Sequence, residues 1–192
     1  MSRKDSEMTI NQRSKGARGE REVAKIIREW WSKVEPKAEF VKTPGSGGWQ
    51  GKGFRGQSLR SEFRMSGDLM TTSKRFPFSI EVKFREAWSY ANVVRKRASP
   101  VWGWWRQCVD AARECGAVPM LWFRRARGQW LVMLGHDYAM TMHISPPKCA
   151  WTVKDFPLGN IGNYPVPILF DASTVLGCDP KQLALPKDKV RK

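Results

Sequence analysis

The heptapeptide FSIEVKF, residues 78–84, constrains the fold more than any other stretch, because its apolar residues alternate without a break. Phe78, Ile80, Val82 and Phe84 fall on one side of an extended chain, and Ser79, Glu81 and Lys83 fall on the other. A segment of this period needs neighbouring strands and a packed layer beneath it. The chain must therefore build a sheet. At about 3.3 Å of rise per residue, the Cα atoms of Glu81 and Lys83 lie roughly 6.6 Å apart on one face. Their ends can meet at one small ligand or at each other, and an ion pair on a solvated strand is the plainer of the two readings.

The rest of the pattern supplies partners for that strand. Val23, Ile26, Ile27, Trp30 and Trp31 recur at three- and four-residue steps, which predicts an amphipathic helix over 15–31 that ends before Pro36. EFVKTP (39–44) reads as a short strand. A second strand is expected over 63–70, with TTSKRFP turning the chain back into 78–84 as a hairpin. Trp105, Cys108, Val109, Ala112 and Cys115 form a second helical stripe, capped at Gly116. VPMLWF (118–123) and QWLVML (129–134) read as two strands joined by RRARG, and VPILF (166–170) as a late one. This order predicts an α/β protein with a mixed central sheet flanked by helices.

At 192 residues the chain is long enough for one domain with a substantial core. Residues 1–14 are expected as a flexible basic tail and 15–135 as the core. GSGGWQGKGFRG, with six glycines in twelve positions, begins an insertion over 45–61, and 136–192 would be an extension packed on the core. The start MSRKDSEMTINQR has no apolar centre, and no apolar run approaches the roughly 20 residues of a spanning helix. Four cysteines without a secretory signal fit reduced thiols, so a cytoplasmic protein of a bacterial, archaeal or phage-infected cell is expected.

The net charge of +16 points to the partner. Residues 1–97 hold 22 Lys and Arg against 11 Asp and Glu, and residues 98–192 hold 12 against 7. Cations spread through turns and strands fit a polyanion better than a membrane surface, which takes a basic amphipathic helix. Nucleic acid is the expected partner.

Against this basic background three acids stand out. At about 100° per helical residue, Glu20 falls in line with Val23, Ala24 and Ile27 on the core face, whereas Glu22 points nearly the opposite way. A carboxylate on an apolar face needs a cation or donors to meet it. Glu22 is explained as an acid in the first turns of a helix. Asp68, in MSGDLM, lies in the expected strand beside 78–84 or else is a turn residue next to Gly67. Glu20, Asp68, Glu81 and Lys83 converging at one end of the sheet would make an oxygen-rich site for Mg²⁺, with a lysine beside it to orient water.

In order along the chain, KGARGERE (15–22), VKTPGSGG (41–48), GD (67–68) and EVK (81–83) resemble the archaeal-type Holliday junction resolvases of the PD-(D/E)XK nuclease superfamily. The resemblance covers roughly residues 15–125. It implies a restriction-endonuclease-like core in which Asp68 and Glu81 are the main metal ligands, Glu20 helps to hold metal, and Arg21 contributes to activity. By the same resemblance Lys83 stands beside the attacking water and Ser46 lies near the DNA backbone. The segment between Ser46 and Asp68 is longer than in that family, and no counterpart is identified after Leu134.

The expected function is thus a Mg²⁺-dependent DNA endonuclease, with Mn²⁺ able to substitute, acting on branched DNA as a homodimer. Lys15, Arg18, Ser46, Lys52 and Arg55 would bind DNA. A nuclease for linear duplex or flaps and a non-catalytic DNA-binding protein are the rival readings. No GxxxxGK[ST] is present, which gives no support for a nucleotide cofactor. The two histidines, His136 and His143, lie outside the motif cluster. Cys108, Cys115, Cys149 and Cys178 match no zinc-finger spacing and read as core thiols. Trp49, Trp102 and Trp104 are candidates for stacking on unpaired bases.

Overall fold

The computed structural model describes residues 3–44, 64–94, 98–141, 151–152 and 164–186. A long helix α1 (Arg3–Trp31) leads into a short strand β1 (Phe40–Lys42), followed by β2 (Arg64–Ser66), β3 (Leu69–Thr71) and β4 (Phe78–Phe84). Helices α2 (Tyr90–Val94) and α3 (Pro100–Glu114) come next, then β5 (Val118–Arg124) and β6 (Leu131–Gly135). The chain closes with α4 (His136–Thr141), β7 (Trp151–Thr152), β8 (Pro167–Asp171), α5 (Ala172–Leu176) and one turn of 3₁₀ helix at Pro180–Gln182.

Two sheets are formed, in the orders β1-β3-β2 and β4-β5-β6-β8-β7. β4 and β5 run parallel and the remaining pairs antiparallel, so the larger sheet is mixed, as expected. Among the described residues one parallel bridge, from Gly67 to Ile80, joins the two sheets. Alternation splits each central strand between two apolar layers. Ile80, Val82, Met120, Trp122, Val132, Leu134, Ile168 and Phe170 pack with α1, and Leu121, Phe123, Met133 and Leu169 pack with α3. Glu81 and Lys83 consequently point to the α3 side, level with Leu121 and Phe123. Ser99 caps α3 by accepting from the Val101 N–H, Pro100 opens its first turn, and Gly116 leaves it at φ +63°.

Three expectations change. Residues 3–14, expected as a loose tail, are the first turns of α1. The expected hairpin between 63–70 and 78–84 does not form. The first of these segments folds on itself at Gly67-Asp68 to make the β2–β3 hairpin, while β4 takes β5 as its full-length partner. Residues after 135 do not simply pack on a finished core, because β8 pairs with β6 inside the sheet. Its short proline-flanked run hides that role in the sequence. No helix among the described residues is long and apolar enough to cross a membrane.

Candidate active site

The site is built around the outer edge of β4, where the Gly67-Asp68 turn meets it. The Asp68 N–H donates to the Ile80 carbonyl at 2.7 Å, and Asp68 Oδ2 accepts from the Val82 N–H at 2.8 Å. Thr43, just past β1, secures the same turn. Its N–H donates to the Asp68 carbonyl and its hydroxyl to the Gly67 carbonyl, both at 2.9 Å. Glycine alone fits position 67 without strain. Its φ is +75°, and a Cβ there would stand 2.3 Å from the Ile80 carbonyl oxygen. Asp68 is thus both a turn residue and a carboxylate aimed at the strand that bears Glu81.

Glu81 is 5% exposed and its strand is buried on both faces, so the solvated-strand reading does not hold. Lys83 Nζ nevertheless donates to Glu81 Oε1, and the two form an ion pair. Glu20, 7% exposed, arrives from α1 as helical periodicity predicted and is met by Lys42 Nζ at 3.0 Å. Lys42 was missed in the sequence. The signal lay in FVK, where alternation puts Lys42 on the same inward side as the buried Phe40. Gly19 lets the helix approach closely, since a Cβ there would lie 3.2 Å from Phe84 Cβ.

Glu22 corrects the sequence reading. It lies well inside α1, where the dipole at the helix start does not reach, and it is tied to Arg124 Nη2 at 2.6 Å and Trp130 Nε1 at 3.0 Å. Both partners are more than 100 residues away in sequence.

Asp68 keeps some surface as a residue, yet its carboxyl sits in a crowded, poorly solvated spot. Burial first and the charge of Glu81 second raise its pKa to about 7, with Glu20 adding to the rise and the Val82 N–H and Lys83 opposing it. Carboxylates pressed together in this way form a donor set for a hard cation. Among the described residues no three acids or other donor side chains are grouped closely enough to form a ready-made metal site, and Lys83 and Lys42 pair with Glu81 and Glu20. Both lysines have flexible stems that can leave a carboxylate when a cation competes for it. By donor type, the carboxylates of Asp68, Glu81 and Glu20 fit Mg²⁺.

Lys15, Arg18 and Arg21 are exposed on α1. Ser46, Lys52, Arg55 and Trp49 lie outside the described residues, as do Cys149 and His143. Trp102 and Trp104 are half-buried against the α3-side core, with Trp104 6.3 Å from Phe123. Cys108 is buried in that layer, Cys178 is half-buried against the other, and Cys115 is exposed.

A mixed sheet bearing an acid-x-lysine strand, a Gly-Asp turn at its edge and a helical glutamate defines a protein of the PD-(D/E)XK nuclease class. Residues 11–163 match the family described as "Phage putative PDDEXK endonuclease", and the chain belongs to that family. Protein D14 of Escherichia phage T5 is 32% identical over 130 residues, which cover 66% of this chain and 72% of that protein. No solved structure matches the chain.

Proposed function

We propose that the protein is a Mg²⁺-dependent DNA endonuclease selective for branched DNA. The observation that carries the metal-dependent reading is the meeting of Asp68, Glu81 and Lys83 at one strand edge, with Glu20 brought to it by α1. Asp68, Glu81 and Glu20 would hold Mg²⁺, and Mn²⁺ would replace it. Held there, the ion would neutralise charge at the scissile phosphate and lower the pKa of a bound water. Lys83, beside Glu81 on β4, would orient the attacking water and offset charge developing on the phosphate oxygens. Arg21, Lys15 and Arg18 supply exposed positive charge on α1 for the DNA backbone, in a chain of charge +16. Ser46, Lys52 and Arg55 are proposed to extend that contact.

Selectivity for branched DNA is supported by the motif order KGARGERE, VKTPGSGG, GD and EVK. A four-way junction presents two equivalent strands, and each chain brings one such site, so paired incision calls for a homodimer. Strands β5 and β6 are interior to the sheet, so their edges are not available for that interface. Val101 and Trp105 of the VWGWW stretch are buried too, which leaves half-buried Trp102 and Trp104 as its available rings.

The test is incubation with four-way junction, flap and linear duplex, each with Mg²⁺ and with chelator. Symmetric nicking of the junction alone, only with metal, is the expected result. Cutting of flap or duplex in preference would move the substrate to linear or repair-type DNA. No cutting of any of them would leave a DNA-binding protein whose acids make structural ion pairs.

A further inference from the structure

Glu22, Arg124, Trp130 and Phe84 come from α1, β5, the segment before β6, and β4, and they meet at one point beside the candidate site. The Trp130 indole N–H donates to Glu22 Oε1 at 3.0 Å, and the Arg124 guanidinium donates to Glu22 Oε2 at 2.6 Å. That guanidinium lies 4.5 Å from the centre of the Trp130 ring and 4.7 Å from that of Phe84. It is therefore held between two aromatic rings as well as by a carboxylate.

The position of this cluster is what gives it a role. Phe84 directly follows Lys83, Glu22 stands two residues after Glu20, and Gly19 brings the two elements together at Phe84. Apolar contacts through Val23, Ile27, Trp30 and Trp31 already dock α1 on the sheet. Docking alone needs no partly desolvated ion pair, which contributes little to stability in net terms. Moreover, Arg124 Nε is buried with no hydrogen-bond partner among the described residues, so the group is held in place at some cost. Elsewhere on the core face of α1, Trp30 Nε1 donates to the Cys178 carbonyl and Trp31 Nε1 to Ser73 Oγ, both at 3.0 Å. Those bonds lie more than two turns beyond Glu20, so the two to Glu22 hold the turn that bears it.

We propose that Glu22, Arg124 and Trp130 are positioning residues that set the rotation of α1, so that the Glu20 carboxylate reaches the acids at the edge of β4. The inference rests on the metal-dependent reading above and acts through Glu20 alone.

The experiment is calorimetric titration of the full chain with Mg²⁺, without DNA, for Glu22→Ala and Trp130→Phe, each alone and combined with Glu20→Ala. Thermal melting is recorded in parallel. Glu22→Ala is expected to weaken Mg²⁺ binding about tenfold, as loss of an outer-shell partner does. The same change in the Glu20→Ala background is expected to weaken it no further. Trp130→Phe keeps the ring beneath Arg124 but removes the N–H, and a smaller loss with the same dependence on Glu20 is expected. It also serves where Glu22→Ala fails to fold. Equal losses in both backgrounds, or a lower melting temperature with unchanged Mg²⁺ binding, would overturn the inference and leave a purely structural clamp. An unmutated chain that binds no Mg²⁺ would overturn the metal-dependent reading itself, and the inference with it.

Discussion

Strands β4 and β5 run side by side, parallel, in register and buried between the same two layers, yet they carry different residues at the same height. Where β4 has Glu81 and Lys83, β5 has Leu121 and Phe123. The difference follows from what lies beyond each strand. β5 has a strand on either side, and Leu121 and Phe123 are packed in the apolar layer beneath α3, where a charge would be costly. Among the described residues the outer edge of β4 meets the Gly67 bridge and the carboxylate of Asp68, so charged groups on β4 have polar partners. Position in the sheet, more than strand propensity, decides which of two similar strands can carry chemistry.

The sharpest way to break this comparison is to truncate both strands at one level. Asp68→Ala, Glu81→Ala or Lys83→Ala is expected to abolish DNA cleavage in a folded protein, whereas Leu121→Ala should keep cutting per folded molecule. Removing either acid should also leave DNA affinity in low-metal buffer equal or higher, measured by fluorescence anisotropy, because a carboxylate repels phosphate. Full cleavage by Asp68→Ala would remove β4 from the chemistry.

Stability should respond in the opposite sense. Leu121→Ala is expected to cost about 2–5 kcal/mol in urea unfolding, the range for emptying a buried leucine site. Glu81→Leu combined with Lys83→Met, which makes β4 like β5, is expected to gain about 1–4 kcal/mol, since replacing a buried ion pair with apolar groups is often stabilising. A less stable double variant would show that the pair is structural after all.

Gly67→Ala tests the bridge between the sheets. The new Cβ collides with Ile80 at a left-handed backbone position, and a loss of about 1–3 kcal/mol is expected in thermal melting, with reduced cleavage because Asp68 moves. The smallest effect belongs to the Lys25–Glu29 pair on the solvent face of α1, 3.9 Å apart and mostly exposed. Lys25→Ala should change stability by no more than about 0.5 kcal/mol, which calibrates how little an ion pair outside the buried edge contributes.

Much of the site is legible without coordinates because period is a local property. Strand alternation puts Glu81 and Lys83 on one face, and helical spacing turns Glu20 inward, and the structure has both. Asp68 was legible as a residue but not as a geometry, for its turn depends on how closely Gly67 can approach a backbone carbonyl. Lys42 needed the inward phase of a three-residue strand, too short for its alternation to stand out. The partners of Glu22 could not be read, because six elements, β1 to β4, α2 and α3, separate α1 from the strand that bears Arg124.

By itself the amino-acid order determined the elements that repeat within a few residues: the amphipathic face of α1, the alternating face of β4 and the apolar strands β5 and β6. It also determined the positive charge that calls for a polyanion. Tertiary structure alone decided that β4 pairs with β5 and not with the segment before it, that β8 enters the sheet, and which cation faces each buried acid. The physical reason is range. Backbone periodicity is set by neighbours along the chain, whereas strand pairing and charge partnership are chosen by competition among groups brought together only when the core closes.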